Sequence, residues 1–208
     1  PDSGEIRVRG KSFARLTTAE AKAAGIALVA QHAKYVPGLS IAENVFLGSL
    51  PAGNSGFVNW KRMNREAAER LSRFGLDLDV TRLMEDTSVA ERQMIEIARA
   101  LFADASVVIL DEPTAPLPKH DVARLFEFVR RQKASGSAFI YISHYLEEIF
   151  EVADKVTVLR NGQRIGTSER VSAPPAIATS ADPHEIASTA LWIATFDEAQ
   201  AGVTVKAG

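Results

Sequence analysis

Four consecutive apolar residues, Val107-Val108-Ile109-Leu110, run directly into two carboxylates, Asp111-Glu112. Two comparable runs, Ile26 to Ala30 and Phe139 to Ile142, lead into Gln31 and into Ser143-His144. Short unbroken apolar runs read as strands buried on both faces, the habit of parallel sheets. Parallel neighbours need crossover connections, and the intervening segments carry the helical period. The chain therefore reads as an α/β layer with a mainly parallel sheet.

The helices announce their starts. Thr17-x-x-Glu20, Ser40-x-x-Glu43 and Ser88-x-x-Glu91 are capping boxes, in which a hydroxyl and a carboxylate satisfy the first free backbone N–H groups reciprocally. The first opens an alanine-rich helix ended by Gly25, and the second a short helix through Phe46. Trp60, Met63, Ala67, Leu71 and Phe74 fall on one helical face. So do Met94, Ile97, Ala98 and Leu101, and later Val122, Leu125, Phe126 and Val129 before Gly136. A short helix is expected through Val152. Val156 to Leu159, Asn161-Gly162 and Gln163 to Ile165 predict a hairpin with a type I′ turn. Pro183 to Gln200 is expected to form an amphipathic helix with Ile186, Leu191 and Trp192 inside.

Bulk properties remove whole classes of function. The 208 residues contain no cysteine, so disulfides, thiolate metal sites and a cysteine nucleophile are excluded. A net charge of -2 gives no basic field for nucleic acid, which is not expected as a partner. No apolar run approaches membrane-spanning length.

Gly4…Gly10-Lys11-Ser12 imitates the phosphate-cradling loop G-x-x-x-x-G-K-[ST]. Five residues separate the glycines where four are required, and Ile6 and Val8 alternate with Glu5, Arg7 and Arg9 as in a half-exposed strand. No apolar-periodic helix follows Ser12 to aim its dipole at a phosphate. The stretch is read as a decoy, and the true cradle is expected upstream of Pro1.

If the three apolar strands are parallel, Gln31, Asp111/Glu112 and His144 converge at one sheet edge, where ligands of α/β proteins bind. Paired carboxylates there suit Mg²⁺ coordination and activation of a water. The competing readings are a strand that simply ends in solvent for Asp111/Glu112, a strand terminus for Gln31 and a polar residue at a helix start for His144.

These segments also resemble a known family. GIALVAQHAKYVPGLSIAENVFLG is similar to the Q-loop segment of ATP-binding-cassette (ABC) ATPases. SVAERQMIEIARAL resembles their signature helix, VVILDEPTA their Walker B strand, and YISHYLEEIFEVADKVTVLRNGQRIGT their switch-histidine segment. The likeness runs from residue 1 to about Thr167 and is nearest to the first cassette of twin-cassette subunits of sugar importers, of the ribose, xylose or galactose type.

The resemblance implies an incomplete ABC-type P-loop NTPase fold with a small helical signature subdomain. Residues 1–167 would form the partial ATPase domain, with 32–104 holding the Q-loop and helical subdomain. Residues 168–208 would be an extension, expected to be partly helical. ATP and Mg²⁺ are the implied cofactors. Asp111 would hold Mg²⁺, largely through water. Glu112 would polarise the attacking water. His144 would contact the γ-phosphate, and Gln31 would touch both metal and water. Ser88, Ala90 and Glu91 would meet the γ-phosphate held by a second cassette, alongside the purely structural cap reading of Ser88.

Implied partners are that second cassette in a homo- or heterodimer, a membrane permease subunit and, indirectly, a sugar-binding protein. The implied location is the cytoplasmic face of the inner membrane. Ile41, Val45, Phe46 and Phe57 are candidates for permease contact, with ordinary local core as the alternative. Departures from the family pattern stand at Thr87, Val89, Ala90 and Glu91 in place of L-x-G-G-Q, and at Pro116 and Pro118 after Walker B. Glu91 would bring negative charge toward a triphosphate unless it turns back into its capping box. Without the cradle, weak or no ATP binding by this chain is expected. A non-catalytic remnant that only binds partners is the alternative.

Overall fold

The computed structural model describes residues 4–31, 34–48, 50–51, 57–102, 105–160, 163–169, 190–195 and 203–207. Strand β1 (Gly4–Val8) turns into β2 (Lys11–Phe13), followed by α1 (Thr18–Ala23) and β3 (Ile26–Val29). Helices α2 (Ile41–Val45), α3 (Trp60–Ser72) and α4 (Val89–Phe102) come next. Then β4 (Val107–Asp111), α5 (Lys119–Ala134), β5 (Ala138–Ser143) and α6 (Leu146–Val152) alternate. Strands β6 (Lys155–Arg160), β7 (Gln163–Glu169), β8 (Ala190–Thr195) and β9 (Val203–Ala207) complete the described elements.

The main sheet has the order β3-β4-β5-β8-β6-β7. β3, β4 and β5 are parallel, while β8, β6 and β7 continue the sheet antiparallel. Register explains the core. Val29, Leu110 and Tyr141 stand side by side and all are buried. On that face they pack with Leu125, Phe126 and Val129 of α5 and with Ile149 and Val152 of α6. The same core continues into α2, α3 and α4 through Ile41, Met63, Leu71 and Ile97.

Among the described residues, the opposite face is covered only at its start. Val107 and Ala138 pack against Val8 of the β1–β2 hairpin. One register step further on, Leu28 is 63% exposed beside half-buried Ile109 and Ile140. The apolar runs thus predict the strands correctly but overstate their burial. Among the described residues no helix is packed over Leu28.

The decoy reading holds. Arg9 and Gly10 have φ of 49° and 77°, and Val8 pairs with Lys11, so they form the two-residue turn of a hairpin. Lys11 and Ser12 lie in the returning strand. All three capping boxes form. Thr17 and Ser40 accept from the N–H groups of Glu20 and Glu43, which bond back. Trp60 differs from its predicted place on the buried face of α3: it is 55% exposed, whereas Met63, Ala67 and Leu71 are buried. It occupies the first helical position, with no turn before it to pack under.

The tail requires a correction. Residues 190–195, expected inside a helix, form β8, hydrogen-bonded between β5 and β6. Residues 203–207 form β9 against β1. Trp192, Ile193 and Thr195 are strong strand formers, and pairing on both sides outweighs a helical period read from a few apolar positions. Ile186 lies outside the described residues, as does the Asn161-Gly162 turn, although Arg160 pairs with Gln163 on either side of it.

Candidate functional site

β3, β4 and β5 end at the same edge of the sheet, and the residues beyond them meet there. Gln31 Nε2 donates to Glu112 Oε2 at 2.9 Å. His144 Nδ1 lies 3.1 Å from Glu112 Oε1. Each oxygen of Glu112 therefore has one partner, delivered by a different neighbouring strand. The three side chains are 81 and 32 residues apart in sequence, and only parallel alignment brings them together.

Glu112 is held in an unusual backbone conformation, φ 46°. The left-handed region costs a non-glycine residue about 1–2 kcal/mol and persists where the surroundings over-determine it. Here the Glu112 N–H donates to the Ile142 carbonyl at 2.9 Å, tying the residue to the end of β5. The carboxylate remains 23% exposed and the imidazole 42% exposed, so both can be reached from solvent.

Asp111, half-buried, is the last residue of β4. Among the described residues, no three His, Asp or Glu side chains converge as a metal cage. Mg²⁺ does not need one, since it is commonly bound by one or two carboxylates, water and substrate phosphates. Asp111 could supply a hard oxygen ligand of this kind. Gln31 commits its amide nitrogen to Glu112, leaving its oxygen as the atom suited to a cation.

Ser88, Ala90 and Glu91 lie apart from this group, at the start of α4. The Ser88 N–H donates to Glu91 Oε2 at 2.7 Å, and the Glu91 N–H donates to Ser88 Oγ at 3.1 Å. Arg82 approaches the other Glu91 oxygen at 3.7 Å. Glu91 is thus turned back and paired, which removes the objection to its charge. Thr87, buried, donates its hydroxyl to the Met84 carbonyl at 2.6 Å.

Sequence reasoning missed a strap joining the two regions. The Lys34 N–H donates to Glu96 Oε2 at 3.1 Å, and Arg99 donates to the Lys34 carbonyl at 3.2 Å. Arg92 donates to the Tyr35 hydroxyl at 3.0 Å, with its guanidinium 5.1 Å from the ring centroid. The segment following Gln31 is therefore fastened to α4. A glutamate amid Met94, Ile95 and Ile97 was the available signal.

Burial holds the Glu96 carboxyl above the ordinary carboxylate range, opposed by the Lys34 N–H and by Arg99. A raised folded-state value means that the protonated form favours the fold. That contribution is full below the unfolded pKa and is lost as pH rises through the folded one. Glu96→Gln keeps an acceptor without the charge. It should raise the thermal midpoint at neutral pH, and the gain should vanish below the ordinary carboxylate range, as read by melting at several pH values.

Residues 1–115 match the family described as ABC transporter. The chain belongs to that family. It is 46% identical over 167 residues to the ribose import ATP-binding protein RbsA 3 of Rubrobacter xylanophilus, covering 80% of this chain and 34% of that protein. It is 43% identical over 169 residues to the ribose import ATP-binding protein RbsA of Rhodococcus jostii, covering 81% of this chain and 34% of that one. The chain thus spans about a third of the length of these curated relatives.

Among solved structures, it superposes on MJ1267, an ATP-binding cassette of an ABC transporter, with a TM-score of 0.70 and 23% identity, covering 86% of this chain and 74% of that one. A dimeric, ADP- and phosphate-bound cassette, MJ0796, superposes with a TM-score of 0.65 and 19% identity, covering 79% of this chain and 72% of that one. These likenesses fix the fold as that of an ABC ATPase cassette. Among the described residues no helix is long and apolar enough to cross a membrane.

Proposed function

We propose that the chain is part of the ATP-binding and ATP-hydrolysing component of an ABC carbohydrate importer, contributing the hydrolytic side of the nucleotide site. The observation that carries this reading is the grip of Gln31 and His144 on the two oxygens of Glu112. Glu112 is positioned to orient and polarise an attacking water, with Gln31 fixing the carboxylate from one side. As an imidazolium, His144 would donate from Nε2 to a phosphate oxygen while its Nδ1–H is held by Glu112. Asp111 would supply a carboxylate to hold Mg²⁺. Mg²⁺, when bound, neutralises charge on the β- and γ-phosphates. Phosphoryl transfer needs this kind of positioning more than covalent chemistry.

Ser88, Ala90 and Glu91 would present the first N–H groups of α4 to nucleotide held by a second cassette, since a helix start attracts phosphate. A permease subunit, an associated sugar-binding protein and the cytoplasmic face of the inner membrane complete the assignment, supported by the ribose-import relatives. Residues 1–167 act as the ATPase portion and 32–104 as its Q-loop and helical subdomain, while 168–208 add β8 to the same sheet and β9 beside β1.

Because Gly10-Lys11 forms a hairpin and no other glycine precedes Lys-Ser or Lys-Thr, the 208 residues themselves should bind ATP weakly. The second reading is a partner-binding module without catalysis. Equilibrium binding of Mg·ATP to the full chain tests the point. Binding should be weak, and Lys11→Ala should leave it unchanged. Tight binding lost in Lys11→Ala would restore Lys11 as a phosphate ligand and overturn the assignment. Capture of a permease regardless of nucleotide would favour the second reading.

A further inference from the structure

Behind the Glu112–His144 pair lies a second carboxylate that the site does not use directly. Three hydroxyls converge on a single oxygen, Oε2 of Glu148 in α6. The Tyr141 hydroxyl donates at 2.7 Å, Thr114 at 2.8 Å and Ser143 at 3.0 Å. Tyr141 and Thr114 are themselves 3.3 Å apart through their oxygens. Tyr141, Thr114 and Ser143 are all buried. Hydroxyl hydrogen bonds to a carboxylate are among the stronger ones, and a buried hydroxyl deprived of its acceptor is costly. Burial, followed by the charge of Glu148, pushes the Tyr141 phenol well above its ordinary range, so it remains a donor.

The placement of the donors gives this cluster its meaning. Thr114 stands two residues after Glu112, beyond the strained left-handed turn at φ 46°. Ser143 immediately precedes His144 and accepts from the Tyr145 N–H at 3.0 Å, so the backbone on both sides of His144 is tied to the cluster. Tyr141 anchors the cluster to the centre of β5. One carboxylate oxygen therefore joins the segment carrying Glu112 to the segment carrying His144.

We propose that Glu148 is a positioning residue, which sets the Glu112–His144 contact by holding Thr114 and Ser143 at fixed separation. The inference rests on the reading of Glu112 and His144 as the working pair. Its immediate consequence, an altered contact between them, is measurable without nucleotide.

The test uses the ¹⁵N-labelled 208-residue chain and the imidazole nitrogen signals of His144, assigned with His144→Gln. Glu112→Ala, which removes the acceptor altogether, supplies the signal of a broken pair. Glu148→Ala should move the His144 Nδ1 signal most of the way to that reference. Tyr141→Phe combined with Thr114→Val, which removes two of the three donors, should move it part of the way. A role confined to stability would lower the unfolding midpoint and leave the folded-state His144 signal in place. A folded Glu148→Ala chain with the parental signal would therefore overturn the proposal. Should Glu148→Ala fail to fold, the parental signal in a folded double variant would do the same. A chain that never contributes to ATP hydrolysis would overturn the functional reading while leaving the His144 result intact.

Discussion

Glu112→Gln should lower steady-state ATP turnover by about 10²–10⁴-fold once the chain works with a phosphate cradle, the range typical for loss of a general base. A chimera with a cradle-bearing segment of an RbsA relative joined ahead of Pro1, assembled as a dimer, is the appropriate sample. The amide keeps the shape of the carboxylate and one acceptor oxygen, so Mg·ATP affinity should change only a few-fold. The loss should fall on kcat, because the role proposed for the carboxylate is on the water rather than on the bound nucleotide. Gln31 and His144 each hold one Glu112 oxygen, so His144→Ala should also reduce turnover while leaving Glu112 in place. Radiolabelled phosphate release alongside equilibrium nucleotide binding separates the two quantities. Equal loss of affinity and turnover in Glu112→Gln would place the residue in ground-state binding and contradict its assigned role.

Phe126→Ala should destabilise the fold by about 3–5 kcal/mol, the usual cost of removing a large aromatic from a packed core. Phe126 is 1% exposed, and its ring meets that of Tyr141 edge-on with centroids 6.1 Å apart. It therefore links α5 to the strand that delivers His144. A single domain is stable by roughly 5–15 kcal/mol, so the variant would lose a large share of its margin. Urea unfolding followed by circular dichroism measures the shift. Phe57→Ala offers the contrast: Phe57 is 78% exposed, and its loss should change stability by no more than about 0.5 kcal/mol. The same difference sorts the residues considered for permease contact. Ile41, Val45 and Phe46 are core, and Phe57 alone among them presents a side chain to solvent.

Much of the site was legible because its signals are local. An apolar run must become a buried or half-buried strand, and the polar residue that follows must emerge at the strand end. That logic alone placed Gln31, Asp111, Glu112 and His144 at one edge, as the parallel register confirms. Capping boxes were equally legible, since Ser88 and Glu91 interact three residues apart.

What failed was non-local. The helix expected across 183–200 gave way to β8 at 190–195 because the open edges of β5 and β6 offered pairing on both sides. Leu28 belonged to a run read as buried, yet exposure depends on what covers a face, which its own neighbours in sequence do not state. Glu96 and Glu148 looked like ordinary helical glutamates. Lys34, which donates to Glu96, and Thr114, one of the donors to Glu148, lie 62 and 34 residues away.

The sequence by itself determined the three parallel strands, the capped helix starts, the family and the residues that follow those strands at one sheet edge, because apolar runs, capping and strand termination are set by adjacent residues. The tertiary structure alone decided the grip on both oxygens of Glu112, the strap from Lys34 to α4 and the three-hydroxyl cluster on Glu148. Those contacts depend on the separation and orientation of distant segments, and packing fixes both only after the chain has closed on itself.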